Sequence, residues 1–355
     1  MILRYAIQRS SSSCIGLCST SSFANATDYR KRRISTSSKF NVVTIPTAAS
    51  LVARSPPNIR PYLELMRADK PIGTWLLYWP CTWSIAIAAP AGQLPSLYML
   101  SLFGAGAFLM RSAGCVINDL WDKDFDRRVE RTKSRPLACG SLSNKQAVGL
   151  LGGLLSASLA ILLQLNWYSV AVGASSMLLV VGYPLAKRYT YWPQFVLGLT
   201  FNWGALLGWS AIRGDLASPV PLLLYVAALQ WTLLYDTIYA HQDKADDIMI
   251  GVKSTALRLG DDTQKWLAAF GVGVVTSLSA VGFTSDQTWP YWLALAGTSA
   301  QLAWQIGTVD INNGTDCWKK FKSNSWMGVI LFAGIVASTL LKEETEGKKP
   351  EHNHI

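Results

Sequence analysis

The sequence predicts an all-α fold, a polytopic membrane helical bundle of about nine transmembrane helices, on three observations. Half of the 355 residues are apolar and only 15% are charged, and apolar runs near the ~20 residues that cross a bilayer recur from Ile72 onward. Tryptophan (15) and tyrosine (13) are plentiful, many of them near the ends of those runs, where an amphipathic ring favours the membrane interface. Basic residues concentrate in alternate connections between the runs.

In chain order, residues 1–45 hold seven basic residues and a single acid, Asp28, among many serines. That composition, without a clean apolar core, predicts a cleaved, disordered mitochondrial or chloroplast transit peptide. A transmembrane domain is expected over 60–342, with spans at roughly 72–90, 97–118, 146–165, 168–185, 194–213, 220–240, 266–284, 289–307 and 325–342, and a very tight turn at 166–168. The connections after the second, fourth, sixth and eighth spans carry the lysines and arginines, whereas the intervening ones hold almost none beyond Arg213. The positive-inside rule therefore puts the basic loops and the N-terminus on one face. Residues 343–355 form a charged tail expected to be disordered.

The formal net charge is +10, but the first 45 residues supply most of it, leaving too little to predict nucleic-acid binding. Six cysteines (Cys14, Cys18, Cys81, Cys115, Cys139, Cys317) show neither metal-ligand nor disulfide-framework spacing.

Two acidic clusters carry the chemistry. The stretch Asn118-Asp119-Leu120-Trp121-Asp122-Lys123-Asp124-Phe125-Asp126 ends the second apolar run, and Asp236 with Asp243, Asp246 and Asp247 ends the sixth. On a helix, Arg111, Asn118 and Asp122 fall within about 40° of one another, with Asp119 and Asp126 flanking that face if the helix continues. Asp236, Asp243 and Asp247 repeat the same spacing. Ionisable groups inside spans face a bundle interior or a cavity, because exposure to lipid is costly. The alternative arrangement is a solvated acidic loop, or a salt-bridge network with the basic residues nearby.

Carboxylates so spaced suit Mg²⁺, which takes oxygen ligands and is usually held by a few carboxylates plus substrate phosphate. Lys123, Arg127, Lys133, Arg135, Lys187 and Arg188 are candidates for the outer phosphate oxygens, though any one of them serves equally well as a topology signal. Together these residues predict a diphosphate site, with an apolar tail lying among the spans. A divalent-cation transporter is the reading from another class, but its path should be polar to both faces, and here the charged clusters share one.

Asn118-Asp119-x-x-Asp122-x-x-x-Asp126 resembles the first motif of the UbiA family of intramembrane prenyltransferases, and Asp236-x-x-Tyr239-Ala240-x-x-Asp243-Lys244-x-x-Asp247 resembles the second. The likeness extends to Arg67-x-Asp69-Lys70-Pro71-Ile72-Gly73, Arg135-Pro136-Leu137, Tyr183-Pro184-x-x-Lys187-Arg188-x-Thr190 and Phe321-Lys322-x-Asn324, in order. The strings from Asp69 to Leu76 and from Tyr239 to Lys244 favour the branch that serves ubiquinone biosynthesis rather than those with haem or homogentisate-type acceptors.

The resemblance implies a Mg²⁺-dependent transfer of a polyprenyl group from polyprenyl diphosphate to 4-hydroxybenzoate. Asn118, Asp122, Asp126, Asp243 and Asp247 would hold the metal, with Asp122, Asp126, Asp243, Asp247 and Asp236 as the catalytic set. Arg111, Asn118, Asp119, Lys123, Arg127, Lys133, Arg135, Lys187 and Arg188 would bind substrate, Arg111 being the candidate for the aromatic carboxylate. The same resemblance implies the inner mitochondrial membrane, an active face toward the matrix, and other ubiquinone-biosynthesis proteins as partners.

Overall fold

The computed structural model describes residues 46–343. The expected leader and all but the first residue of the expected tail lie outside the described residues, as do the side chains at 183–185, 187, 245, 246 and 250. Among the described residues every regular element is a helix. Two short helices, α1 (Ala48–Ala53) and α2 (Arg60–Leu65), lead into α3 (Ile72–Ala88), α4 (Leu97–Asp126) and α5 (Asn144–Leu162). Two interrupted pairs follow, α6 (Trp167–Ser175) with α7 (Met177–Tyr189), and α8 (Pro193–Phe201) with α9 (Gly204–Arg213). Next come α10 (Val220–Ala240), the short α11 (Lys244–Ile250) and α12 (Thr255–Leu259), and then α13 (Thr263–Thr284), α14 (Trp289–Thr308) and α15 (Gly314–Leu340).

Each expected span coincides with helix, and six stretches are long and apolar enough to cross a membrane: Leu97–Asp126, Asn144–Leu162, Pro193–Arg213, Val220–Asp243, Thr255–Thr284 and Gly314–Leu340. Trp167–Gly182 is a shorter apolar stretch. At 17 residues, α3 covers only about 26 Å, and α14 is diluted by Gln301, Gln305 and Thr308.

Local chemistry explains where the helices differ from expectation. The fourth expected span breaks at Ser176, whose hydroxyl donates to Gly173 O at 2.6 Å. The fifth breaks at Asn202–Trp203, where the buried Asn202 amide donates to Gly198 O and to Thr232 Oγ1, both at 2.8 Å. Such side chains compete with the helical ladder for its own carbonyls. The tight turn expected at 166–168 lies earlier, between Leu162 and Trp167, because Asn166 caps α6 by accepting from Ser169 N at 2.9 Å. Pro80 sits inside α3, where the neighbouring Cys81 thiol and Thr82 hydroxyl donate to Leu77 O and Trp79 O (3.5 and 2.8 Å).

The core lies where α3, α10, α13 and α15 meet. Trp83 and Trp231 are fully buried with ring centroids 5.2 Å apart. Each indole N–H is satisfied, Trp83 on Gly328 O (3.1 Å) and Trp231 on Asn324 Oδ1 (2.8 Å). A Cβ at Gly328 would stand 2.3 Å from the Trp79 ring, so α15 approaches α3 this closely only with glycine there. Large apolar side chains such as Leu178, Val272, Phe283, Leu293 and Trp326 are exposed on the periphery, as lipid contact requires.

Candidate active site

The first acidic stretch is helical throughout. Ser96 caps α4 by accepting from Met99 N at 3.3 Å, and the helix then runs unbroken to Asp126. Its 3.6-residue period puts Arg111, Asn118, Asp122 and Asp126 along one cavity, as the spacing predicts. The second stretch differs. After α10 ends at Ala240, a 3₁₀ turn, His241–Asp243, intervenes before α11. This tighter turn breaks the continuous face expected from Asp236 to Asp247. All three of Asp236, Asp243 and Asp247 nevertheless line the same cavity.

Arginines hold Asp119, Asp126 and Asp243, so the alternative salt-bridge arrangement is realised in part. Asp119 is 1% exposed and accepts from Arg67 Nη2 at 2.9 and 2.8 Å and from Arg135 Nη1 at 3.2 Å. The same Arg135 nitrogen donates to both oxygens of the buried Asp126, at 3.0 and 2.8 Å. The Thr132 hydroxyl ties the loop back by donating to Asp126 O at 3.0 Å. Arg67 adopts φ 58°, a left-handed conformation that costs a non-glycine residue on the order of 1 kcal/mol or more. Its two contacts with Asp119 and a third with Glu64 O (3.0 Å) hold it there.

The loop after α4 reaches the second motif through Arg131. Its Nε and Nη2 donate to the two oxygens of Asp243 at 2.8 and 2.7 Å, and Nη1 donates to the Tyr239 hydroxyl at 3.3 Å. Burial works against the Arg131 charge, but Tyr239 and Asp243 outweigh it and hold the guanidinium above its ordinary pKa.

The cavity measures about 1530 Å³. Charged groups crowd its mouth, while its depth is lined by apolar side chains that include Phe103, Leu162, Leu165 and Leu207. From Leu102 to Asp126 its wall follows about 36 Å of α4, slightly more than the apolar thickness of a bilayer. Arg111 lies between the two zones, pressed on Gly73, where a Cβ would stand 2.4 Å from its Nε. Its guanidinium carbon is 5.6 Å from the Phe201 ring centre.

Of the expected site residues, Arg111, Asn118, Asp119, Asp122, Asp126, Arg135, Arg188, Asp236, Asp243 and Asp247 line this cavity. Three basic residues are instead engaged outside its wall: Lys123 with Asn144 Oδ1 (2.8 Å), Arg127 with Ala138 O (3.1 Å), and Lys133 with Glu130 (2.7 Å). The Lys187 side chain lies outside the described residues. Arg188 packs against Trp121 and Phe125 and donates to Trp121 O at 3.3 Å. Arg67, Asp69 and Arg131 also line the cavity without having been singled out as site residues. Their positions in the motif strings and in the basic loop were the available signal.

Among the described residues, no three His, Cys, Asp or Glu side chains converge closely enough to cage a metal ion by themselves. A mouth lined by carboxylates and an amide, without histidine, still fits a hard cation that takes a few protein oxygens and draws the rest from a substrate phosphate.

The UbiA prenyltransferase family model matches residues 77–330. The chain belongs to the UbiA prenyltransferase family. It is 79% identical over 330 residues to the mitochondrial 4-hydroxybenzoate polyprenyltransferase of Caenorhabditis elegans, covering 93% of each chain. To the Homo sapiens protein of the same description it is 57% identical over 302 residues, covering 85% of this chain and 81% of that one. Among solved structures, a UbiA homolog from Aeropyrum pernix K1 shares the fold with TM-score 0.64 at 23% identity, covering 74% of this chain and 97% of that one. A UbiA homolog from Archaeoglobus fulgidus solved with GPP and Mg²⁺ shares it with TM-score 0.57 at 18% identity, over 78% and 99%.

Proposed function

We propose that this UbiA-family chain transfers an all-trans polyprenyl group from polyprenyl diphosphate to the ring carbon ortho to the hydroxyl of 4-hydroxybenzoate, a step of ubiquinone biosynthesis. The observation that carries the reading is a single cavity with both acidic motifs at its mouth, Arg111 below them, and an apolar channel beneath. The diphosphate belongs at the mouth, the isoprenoid tail in the channel, and the aromatic acid between them.

Asn118, Asp122, Asp126, Asp243 and Asp247 would hold Mg²⁺, the oxygen-only donor set being its usual one. Bound there, Mg²⁺ would neutralise the departing diphosphate and so favour ionisation of the allylic C–O bond. Arg131, Arg135 and Arg188 line the same mouth and supply donors for outer phosphate oxygens. Arg111 grips the acceptor carboxylate with its planar fork, which fixes the ring against the reacting carbon. Asp236 lines the cavity two turns below Asp243 and helps to orient the acceptor. The apolar wall excludes water that would otherwise capture the allylic cation.

The mitochondrial description of the relatives and the basic leader support the inner mitochondrial membrane, and the basic loops support a mouth facing the matrix. The experiment is prenyl transfer in membranes holding this chain, with labelled polyprenyl diphosphate, 4-hydroxybenzoate and Mg²⁺. Asp122→Ala and Asp243→Ala should each abolish product. Unimpaired turnover in both would sink the metal-site assignment, and turnover with a different acceptor only would sink the substrate.

A further inference from the structure

Among the described residues eight carboxylates line the cavity, and seven of them are engaged within the chain. Arginines hold Glu64, Asp119, Asp126 and Asp243, while Asp122, Asp236 and Asp247 have interactions of their own. The exception is Asp69. Its Oδ1 is buried and has no hydrogen-bond partner. A carboxylate that the chain leaves unpaired is costly, and because Asp69 lines the cavity a substrate can supply the missing donor.

The backbone holds Asp69 in place. Arg67 N donates to Glu64 O (3.1 Å), Ala68 N to Leu63 O (3.0 Å) and Lys70 N to Arg67 O (3.0 Å), making a compact turn ahead of α3. The Arg67 side chain anchors this turn to the buried Asp119 on α4. Asp69 precedes by four residues Gly73, the residue against which Arg111 is pressed. Asp69 and the arginine assigned to the acceptor's carboxylate thus belong to one short piece of cavity wall.

We propose that Asp69 receives the phenolic hydroxyl of the aromatic acceptor, accepting its hydrogen bond while Arg111 holds the carboxylate at the other end of the ring. The inference rests on the acceptor reading given above and deepens it. A hydroxyl donating to a carboxylate is a charge-assisted bond, short and directional. It fixes the rotation of the ring and so decides that an ortho carbon faces the reacting carbon. The same contact accounts for selectivity, because an acid lacking the para hydroxyl leaves Asp69 unpaired.

The test is equilibrium binding to the full chain in lipid nanodiscs, with Mg²⁺ and a non-ionisable thiolo-diphosphate analogue of the donor present. 4-Hydroxybenzoate should bind roughly tenfold or more tightly than benzoate or 4-methoxybenzoate. In Asp69→Leu that preference should vanish while benzoate affinity stays unchanged, and Asp69→Asn, which keeps a neutral acceptor, should fall between. Equal binding of the three acids by the unaltered chain would overturn the inference without needing any variant. So would an Asp69→Leu chain that loses affinity for benzoate and 4-hydroxybenzoate alike. If the donor analogue binds but none of the acids does, the acceptor reading itself fails, and this inference fails with it.

Discussion

Arg131 and Asp243, 112 residues apart in sequence, face each other through two nearly parallel hydrogen bonds of 2.8 and 2.7 Å. The pair fastens the basic loop after α4 to the second acidic motif, across the mouth of the cavity. The paired geometry is one that only a guanidinium supplies. Arg131→Met is expected to lower kcat/KM for the prenyl diphosphate roughly tenfold or more, as for loss of a charged hydrogen bond. Arg131→Lys should recover only part of it. Limited trypsin digestion supplies an independent reading, because the loop released from Asp243 should be cut faster. Unchanged kinetics together with unchanged digestion would show that the pair does not hold the loop.

Asp119 predicts a different kind of defect. It is buried and accepts from both Arg67 and Arg135, so Asp119→Ala strands the partly buried Arg67 and leaves Arg135 with Asp126 alone. Removing one partner of such a network costs about 3 kcal/mol or more. The variant should therefore melt at a distinctly lower temperature and accumulate poorly. Asp122→Ala, at a half-buried residue, should lower the melting temperature less and yet be inactive. Thermal melts of the two purified proteins separate the roles, and equal melting of Asp119→Ala and parent would refute the structural one.

The two motifs were legible because their meaning is local. Arg111, Asn118 and Asp122 share a face through the helical period alone, and α4 confirms that face to its last residue. What was not legible depends on distance in sequence. Nothing in the spacing pairs Arg67 with Asp119 or Arg131 with Asp243, and a basic residue of the loop after α4 reads equally well as a topology signal. The helix breaks were hidden for another reason. At Asn202 an apolar run continues unbroken in composition, and only the donation of its side chain to Gly198 O and Thr232 Oγ1 diverts the chain. The turn at His241–Asp243 was hidden likewise, since the spacing of seven and four residues reads as one continuous helix.

Gly73 tests the place of the acceptor without removing a charge. A Cβ there would stand 2.4 Å from Arg111 Nε and 2.9 Å from its Nη2, so Gly73→Ala must displace the guanidinium. A displacement of about 1 Å at a positioning group costs up to roughly a hundredfold in rate. Gly73→Ala and Arg111→Ala should both raise KM for 4-hydroxybenzoate and leave KM for the prenyl diphosphate near the parent's. Initial-rate series varying one substrate at a time decide this. An equal rise in both constants would place Arg111 on the donor instead.

Metal removal completes the set. The cavity mouth offers carboxylates and an amide, and no histidine among the described residues lines it. Such donors favour Mg²⁺ over Zn²⁺, whose sites draw on cysteine and histidine. Chelation should stop turnover, and Mg²⁺ should restore it better than Zn²⁺. Because no three acidic side chains among the described residues form a ready cage, the ion should bind weakly until the diphosphate adds its oxygens. The Mg²⁺ concentration giving half-maximal rate should then fall as prenyl diphosphate is raised, and Asp243→Asn should shift that concentration upward while Asp236→Asn should not. Tight Mg²⁺ binding to the chain alone, measured by calorimetry before any diphosphate is added, would contradict this order of assembly.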